Sequence, residues 1–175
     1  MGIISGAAAA YLIGCVPAAR VASGLAAGRR WAPWVGPLAD VAKGFFALWL
    51  LAPTASMGQA LIVTAVVAGD QWPVFGREIG RSGQWALLGA LAEVTPVAPP
   101  LWAVLWGIGF VVSGYFAIGR AVATALLPPL LGFVAGGPLG WIALPGCVMV
   151  LERSRELVRR AWAGDEPKHY WNSAS

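Results

Sequence analysis

The segment from Ala68 to Gly83 concentrates charge and glycine in a chain that otherwise has few ionisable side chains. Its charged residues are Asp70, Arg77, Glu78 and Arg81. Its last three glycines are Gly76, Gly80 and Gly83. Closely spaced glycines let backbone N–H groups converge on an anion, and guanidinium groups bind phosphate oxygens in a forked geometry. The segment predicts an anion cradle, although a flexible, positively charged loop beside a membrane would show the same residues.

A second candidate is Lys43, which follows Asp40 by three residues on a predicted helix. Side chains three apart on a helix lie on the same face, and pairing lowers the free energy of partly burying two charges. An ion pair is therefore expected. If Lys43 also points towards the 68–83 segment, its ammonium group would meet a phosphate bound there.

A third group of charges follows the last apolar run, in residues 151–164, which are predicted to form a helix that ends before Gly164. Arg155 and Arg159 lie one turn apart, and Glu156 precedes Arg160 by four residues. Leu157 and Trp162 are expected on the apolar side. The helix could bind a phosphorylated ligand, or it could lie against anionic lipid headgroups.

Other kinds of site have little support in the sequence. His169 is the only histidine and falls in a polar tail that is expected to fray, so it is given no role. Cys15 and Cys147 are isolated thiols without metal-site spacing. We expect no metal and no cofactor, and any chemistry must then depend on positioning and charge.

The composition indicates the solvent in which these residues must be positioned. Only 11% of the 175 residues are charged and 58% are hydrophobic, whereas about 25% of residues in soluble domains are charged. Such a chain cannot cover a water-facing surface, and its ten tryptophans suit the membrane interface. The sequence predicts an integral membrane protein.

Apolar runs divide the chain into a predicted all-α, polytopic helical bundle of about seven helices. The runs cover residues 3–27, 36–52, 57–69, 84–95, 100–113, 118–134 and 138–151. Two of them, the third and fourth, are shorter than the roughly 20 residues of a full span. We expect one transmembrane domain over residues 1–163 and a polar cytoplasmic tail over 164–175.

The distribution of Lys and Arg predicts the orientation of the bundle. These residues flank the first, third and fifth loops and follow the last apolar run. By the positive-inside rule those loops and the C-terminus are cytoplasmic, and the N-terminus is outside the cell membrane. A small transporter or channel is disfavoured, because residues 44–69 and 121–151 contain no acidic or basic side chain.

Three parts of the chain resemble the bacterial acyl-phosphate:glycerol-3-phosphate acyltransferases, the PlsY family. Tyr11–Pro17 is similar to the Tyr-Leu-Ile-Gly-Ser-Ile-Pro of the family's first helix, and Asp40–Gly44 is similar to its Asp-Val-Leu-Lys-Gly. Gly69–Phe75 and then Gly80–Gly83 follow the family's Gly-His-x-Trp/Phe-Pro-Val-Phe and Gly-Gly-Lys-Gly. Ser154–Glu166 follows its C-terminal His-Arg-x-Asn-Ile-Arg-Arg-Leu-Leu-x-Gly-Thr-Glu.

The chain also departs from the family pattern. The Ser-Gly-Asn, Gly-Ala-Thr-Asn and Arg signature of the first cytoplasmic loop is missing, and Arg30 runs almost directly into the second predicted helix. Asp70 replaces a histidine, Ser82 replaces a lysine and Leu157 replaces an asparagine. These departures leave open a catalytically impaired paralogue that binds a lipid, a phosphate or a partner protein.

The resemblance implies an inner-membrane enzyme of phospholipid synthesis that moves an acyl chain from acyl phosphate to glycerol 3-phosphate, giving lysophosphatidate. Its expected partners are these two substrates and membrane lipids, with no nucleic acid. The catalytic candidates are Asp70, Arg81 and Ser82. The substrate-binding candidates are Lys43, Gly80, Gly83, Arg155, Arg159 and Glu166.

We expect specific roles for two of the catalytic candidates. Asp70 could accept the proton of the substrate hydroxyl, and Arg81 could replace the missing lysine with its guanidinium group. A carboxylate at position 70 would also repel two phosphate dianions by several kcal/mol at a low effective dielectric constant, unless it faces a cation such as Arg77.

Overall fold

The computed structural model describes residues 3–51, 55–74 and 83–163. Within these residues the chain is α-helical apart from short connections, so the all-α prediction is confirmed. The helices are α1 (Ile3–Cys15), α2 (Ala18–Leu25), α3 (Ala32–Leu51), α4 (Ser56–Gln71), α5 (Gln84–Val94), α6 (Ala98–Ser113), α7 (Phe116–Val134) and α8 (Gly137–Ala163). The predicted tail, residues 164–175, lies outside the described residues. Residues 72–83, between α4 and α5, are called loop three below.

The seven predicted runs correspond to eight described helices because the first run is divided at Pro17. Proline has no backbone N–H and disfavours the helical conformation of the residue before it, here Val16. α1 and α2 together still form one apolar stretch, Ile3–Leu25, of 23 residues. The remaining six runs each correspond to one helix.

Three described stretches are long and apolar enough to cross a membrane: Ile3–Leu25, Trp34–Leu51 and Phe116–Val134. α5 has only 11 residues, or about 16 Å of helix against a hydrocarbon core of about 30 Å. α4 has 16 residues, three more than predicted. α8 joins the last apolar run and the charged stretch after it in one helix of 27 residues, about 40 Å long.

Glycines allow two pairs of helices to touch at the backbone. A Cβ atom at Gly14 of α1 would overlap the carbonyl oxygen of Val66, and one at Gly69 of α4 would overlap the carbonyl oxygen of Tyr11. Gly44 of α3 makes the same kind of contact with α5. Small residues at such crossings are typical of membrane bundles, where close packing between helices replaces the hydrophobic effect.

The contacts also fix the direction of neighbouring helices. Gly6 and Gly14 of α1 pack beside Ile62 and Val66 of α4, so α1 and α4 are parallel. Gly146 of α8 packs against Val63 and Val67, and Ser56 lies beside Gly137, so α4 and α8 are also parallel. From the level of Gln71, where α4 ends, α8 therefore continues for about 16 Å.

One end of the bundle, called the polar end, is where α1, α4 and α6 end and α5 and α7 begin. Asp70 and Arg120 lie there, and the charged turns of α8 extend beyond it. Glu93, in the last turn of α5, is an exception and lies near the opposite end.

The core and the surface are both apolar. Leu87, Leu127 and Ile142, from three different helices, are at most 2% exposed. On the outside, Val112 and Phe133 are 82% and 88% exposed. Many other large apolar side chains are also exposed, and such a surface indicates contact with lipid.

Candidate active site

The ammonium group of Lys43 lies at the centre of a buried ion cluster. Its Nζ atom is 3.2 Å from Oδ1 of Asp40 and forms a shorter ion pair with Oδ1 of Asp70. Lys43 and Asp40 are each 7% exposed and Asp70 is 3% exposed. The expected pairing of Asp40 with Lys43 is confirmed, and Asp70, from the next helix, is an additional partner.

Lys43 also holds the end of α1. Its Nζ atom donates to the carbonyl oxygens of Gly14, at 3.2 Å, and Val16, at 3.3 Å. These carbonyls belong to the C-terminal end of α1, where the helix dipole favours a cation. Because one ammonium group serves two carboxylates and two carbonyls, its donors are saturated by the protein itself.

The ion cluster changes how strongly the Asp70 carboxylate would repel a phosphate. An unpaired carboxylate there would strongly repel phosphate dianions, and Arg77 was the cation expected to offset it. Arg77 lies outside the described residues, but Lys43 already provides a positive charge in direct contact with Asp70. Because Asp40 shares the same ammonium group, a phosphate near Asp70 would meet a carboxylate whose charge is offset in part.

The start of loop three is held by α1. The hydroxyl group of Tyr11 donates to the carbonyl oxygen of Trp72 at 2.6 Å, one residue after α4 ends. The backbone contact between Gly14 and Gly69 lies just before this point. Sequence reasoning placed Tyr11 in a motif but gave it no role, because its partner is a main-chain atom 61 residues away.

The end of loop three is fixed by Gly83. Its φ angle is +70°, a left-handed conformation that favours glycine. A Cβ atom there would lie 3.0 Å from Nε2 of Gln71 and from Cγ1 of Val67. Gly83 was expected to contribute to substrate binding; the structure gives it a conformational role as well, at the residue before α5.

Arg155 and Arg159 lie on the exposed side of α8. Arg155 donates to Glu152 at 2.9 and 3.1 Å, and Arg159 donates to Glu156 at 3.0 Å. Arg160 shares the carboxylate of Glu156 at 3.3 Å, as its spacing predicted. The hydrogen bond from Arg159 lowers the pKa of the Glu156 carboxyl group below its ordinary value.

Arg155 and Arg159 border a common open hollow of about 900 Å³. Its apolar part is formed by Val148, Leu151 and Val158. The hollow thus lies where α8 changes from apolar to charged sequence, with guanidinium groups beside a hydrophobic surface.

The expected apolar side of this part of α8 was partly wrong. Ala161 is buried as expected, but Trp162 is 79% exposed and Leu157 is 39% exposed. The inward side carries Ser154, which is 4% exposed. It faces inwards because its hydroxyl group both donates to Val150 and accepts from Arg120.

Four of the candidate site residues that the structure describes form two separate groups. Lys43 and Asp70 are joined at the ends of α1 and α4, whereas Arg155 and Arg159 border the hollow on α8. Four further candidates, Gly80, Arg81, Ser82 and Glu166, lie outside the described residues. Among the residues that the structure does describe, no group of three or more His, Cys, Asp or Glu side chains could hold a metal ion.

The fold and these residues define a polytopic α-helical membrane protein in which a buried ion cluster lies next to the described start of loop three. The chain belongs to the glycerol-3-phosphate acyltransferase family, whose model matches residues 24–164. A glycerol-3-phosphate acyltransferase of Bordetella avium (strain 197N) is 35% identical over 154 residues, which cover 74% of this chain and 72% of that protein. One of Burkholderia pseudomallei (strain 1710b) is 30% identical over 194 residues, covering 96% of both chains.

Solved structures with the same fold belong to PlsY (YgiH), an integral membrane glycerol 3-phosphate acyltransferase. Its lysophosphatidic acid form has a TM-score of 0.78 at 24% identity and covers 95% of this chain and 94% of that one. Its glycerol 3-phosphate form has the same TM-score at 22% identity, with 96% of each chain covered. The predicted all-α, polytopic helical bundle is thus confirmed at the level of the fold.

Proposed function

We propose that this protein is an acyltransferase that moves an acyl chain from acyl phosphate to glycerol 3-phosphate, giving lysophosphatidate and inorganic phosphate. The match of the family model to residues 24–164 is the observation that carries the proposal. The apolar outer surface agrees with an enzyme whose acyl donor and product are lipids. The alternative of a non-catalytic paralogue gains no support from the relatives, which are acyltransferases by name.

The reaction replaces one acyl–oxygen bond with another. The 1-hydroxyl oxygen of glycerol 3-phosphate attacks the acyl carbonyl carbon, and the bond from that carbon to the phosphate oxygen breaks. The phosphate leaves with the electron pair, and the hydroxyl proton passes to a base. Asp70 is the proposed base, since it is a buried carboxylate at the start of loop three.

Lys43 supports this role through its ion pair with Asp70. Through this pair, Lys43 offsets part of the charge of Asp70 and so reduces the repulsion between Asp70 and the two dianionic substrates. Lys43 itself would contact a substrate phosphate only by releasing one of its carboxylates. Its proposed contribution to substrate binding is therefore largely to hold Asp70 and α1 in place.

Cations and backbone N–H groups are proposed to hold the two phosphates. Arg81, with Gly80 and Gly83, would contribute from loop three, and Ser82 occupies the family's lysine position. Arg155 and Arg159 would contribute from α8, where Glu166 follows in the family motif. Interactions of this kind stabilise the charge that develops on the leaving phosphate.

The proposed location is the bacterial inner membrane, with the N-terminus outside and the C-terminus in the cytoplasm. The arginines of the polar end support this orientation through the positive-inside rule. Both the soluble substrate and the charged groups would then lie on the cytoplasmic side, and the acyl donor and surrounding lipids would approach through the membrane.

The proposal is tested with purified protein in detergent. Acyl phosphate and labelled glycerol 3-phosphate should yield labelled lysophosphatidate and one inorganic phosphate per product. A reaction without glycerol 3-phosphate separates acyl transfer from simple hydrolysis of the donor. The absence of labelled product at high protein concentration would contradict the proposed function.

A further inference from the structure

The buried hydroxyl group of Thr124 joins three helices, α5, α6 and α7, next to the residue that ends loop three. Thr124 of α7 is 1% exposed. Its Oγ1 atom accepts hydrogen bonds from Nε2 of Gln84, at 3.2 Å, and from Nε1 of Trp102, at 3.3 Å. It donates to the carbonyl oxygen of Arg120 at 2.8 Å. Gln84 is the first residue of α5, so this hydroxyl holds the point at which loop three ends.

The same turn of α7 reaches α8. Nη2 of Arg120 donates to Oγ of Ser154 at 3.3 Å, and Ser154 is 4% exposed. Ser154 in turn donates to the carbonyl oxygen of Val150 at 2.7 Å. The next residue along α8 is Arg155, one of the proposed phosphate-binding arginines.

We infer that Thr124 and Arg120 are positioning residues, which set the spacing between loop three and the arginines of α8 by holding Gln84 on one side and Ser154 on the other. This inference rests on the proposed function, because it assigns both elements to one phosphate-binding site. None of the four residues needs to touch a substrate.

Thr124 and Arg120 can position these helices because their hydrogen bonds lie in apolar surroundings. Inside a bundle of this composition a polar side chain has few alternative partners, so one satisfied hydroxyl specifies a single arrangement of three helices. α5 is also short and begins immediately after a flexible residue type, Gly83, so its start needs a fixed partner. Loss of the hydroxyl would remove the hydrogen bond that joins Gln84 to α7, while the apolar packing of α5 remains.

The central experiment compares Thr124→Val with Thr64→Val. Both substitutions replace a hydroxyl with a methyl group. The hydroxyl of Thr64 only donates within its own helix, to Ala60 at 2.6 Å, among the contacts of the described residues. Steady-state kinetics are measured for each variant with glycerol 3-phosphate varied at saturating acyl phosphate.

We expect Thr124→Val to raise KM for glycerol 3-phosphate about tenfold, below the roughly hundredfold loss that a misplacement of about 1 Å can cause. kcat should change by less than about twofold, because phosphate binding is lost equally from the ground state and the transition state. Thr124→Ser should restore KM, and Thr64→Val should leave it unchanged. A merely structural defect would instead reduce the active fraction, lowering the apparent kcat at constant KM.

A folded Thr124→Val variant with the KM of the original protein would overturn the inference. If that variant does not fold, Ser154→Ala provides the second test, because it removes the acceptor of Arg120 on α8, and its other hydrogen bond, to Val150, lies within α8. It should raise KM for glycerol 3-phosphate several-fold, and an unchanged KM would overturn the inference by itself.

If the unsubstituted protein forms no product, the proposed function fails and the linkage is tested without activity. Amide hydrogen exchange is then measured in Thr124→Val and Thr64→Val. Faster exchange at both 84–88 and 151–158 in Thr124→Val alone would support the linkage, and equal exchange in the two variants would overturn it.

Discussion

Lys43 of α3 and Asp70 of α4 form a buried ion pair that also holds the C-terminal end of α1. Three helices therefore meet at one ammonium group, directly before loop three begins. The family motif that Gly69–Phe75 resembles has a histidine where this chain has Asp70, so this pair accompanies one of the departures of the chain from that motif. In the proposed site, the pair would reduce the repulsion between this carboxylate and a phosphate.

Replacing Asp70 with asparagine should destabilise the protein. Removing one partner of a buried pair typically costs about 3–5 kcal/mol; we expect about 3 kcal/mol, because Asp40 still pairs with Lys43. The midpoint of thermal unfolding in detergent measures the change. Glu156→Gln is the control, since it removes an exposed carboxylate and should shift the midpoint far less. An unaltered midpoint for Asp70→Asn would show that the pair does not support the fold.

Replacing Gly69 with alanine should disrupt the contact between α1 and α4. The new Cβ atom would overlap the carbonyl oxygen of Tyr11, which is main chain and cannot rotate away. We expect a loss of about 3 kcal/mol, the upper part of the range for overpacking. Gly107→Ala is the matched control, because a Cβ atom there meets nothing within 4 Å. Equal unfolding midpoints for the two variants would contradict the close contact.

Arg81→Ala and Arg159→Ala should each weaken glycerol 3-phosphate binding at least about tenfold, or about 1.4 kcal/mol. The expected cause is the loss of a guanidinium group from the phosphate. Binding is measured by equilibrium titration with labelled glycerol 3-phosphate. Arg160→Ala is the control, because it removes a partner of the same Glu156 carboxylate without removing a proposed ligand. Unchanged binding in both test variants would remove these arginines from the site.

The pKa of the Glu156 carboxyl group should depend on Arg159. The hydrogen bond from Arg159 holds the pKa of Glu156 below its ordinary value, so the bond contributes to stability above the ordinary pKa and is lost as the pH falls through the lowered one. In Arg159→Ala the pKa of Glu156 should rise. Carboxyl carbon NMR follows this titration. Arg155→Ala, which removes the partner of Glu152, should leave it unchanged.

The sequence was sufficient for features that depend on local spacing. Apolar runs predicted the positions of the helices, because Pro, Gly and charged residues separate one run from the next in the sequence. The spacing of Asp40 and Lys43 predicted their ion pair, since both lie on one helix face. Pro17 could have predicted the break after α1, because proline excludes its predecessor from the helical conformation.

Contacts between distant segments could not be predicted in this way. Asp70 pairs with a lysine 27 residues earlier, and Thr124 accepts from a glutamine 40 residues earlier. Neither spacing has a period, so only the packing of the helices brings these groups together. The inward direction of Ser154 was missed for the same reason: its partner, Arg120, is on another helix.

The length of α8 has a consequence for how a soluble reactant arrives. Because this helix extends about 16 Å beyond the level at which α4 ends, Arg155 and Arg159 lie beyond that level, and in the proposed orientation they would face the aqueous phase. Diffusing anions would feel these guanidinium groups at long range, and the pull would weaken as dissolved ions shorten the Debye length. The rate of encounter would then respond to ionic strength, even though the bond-making atoms lie deeper.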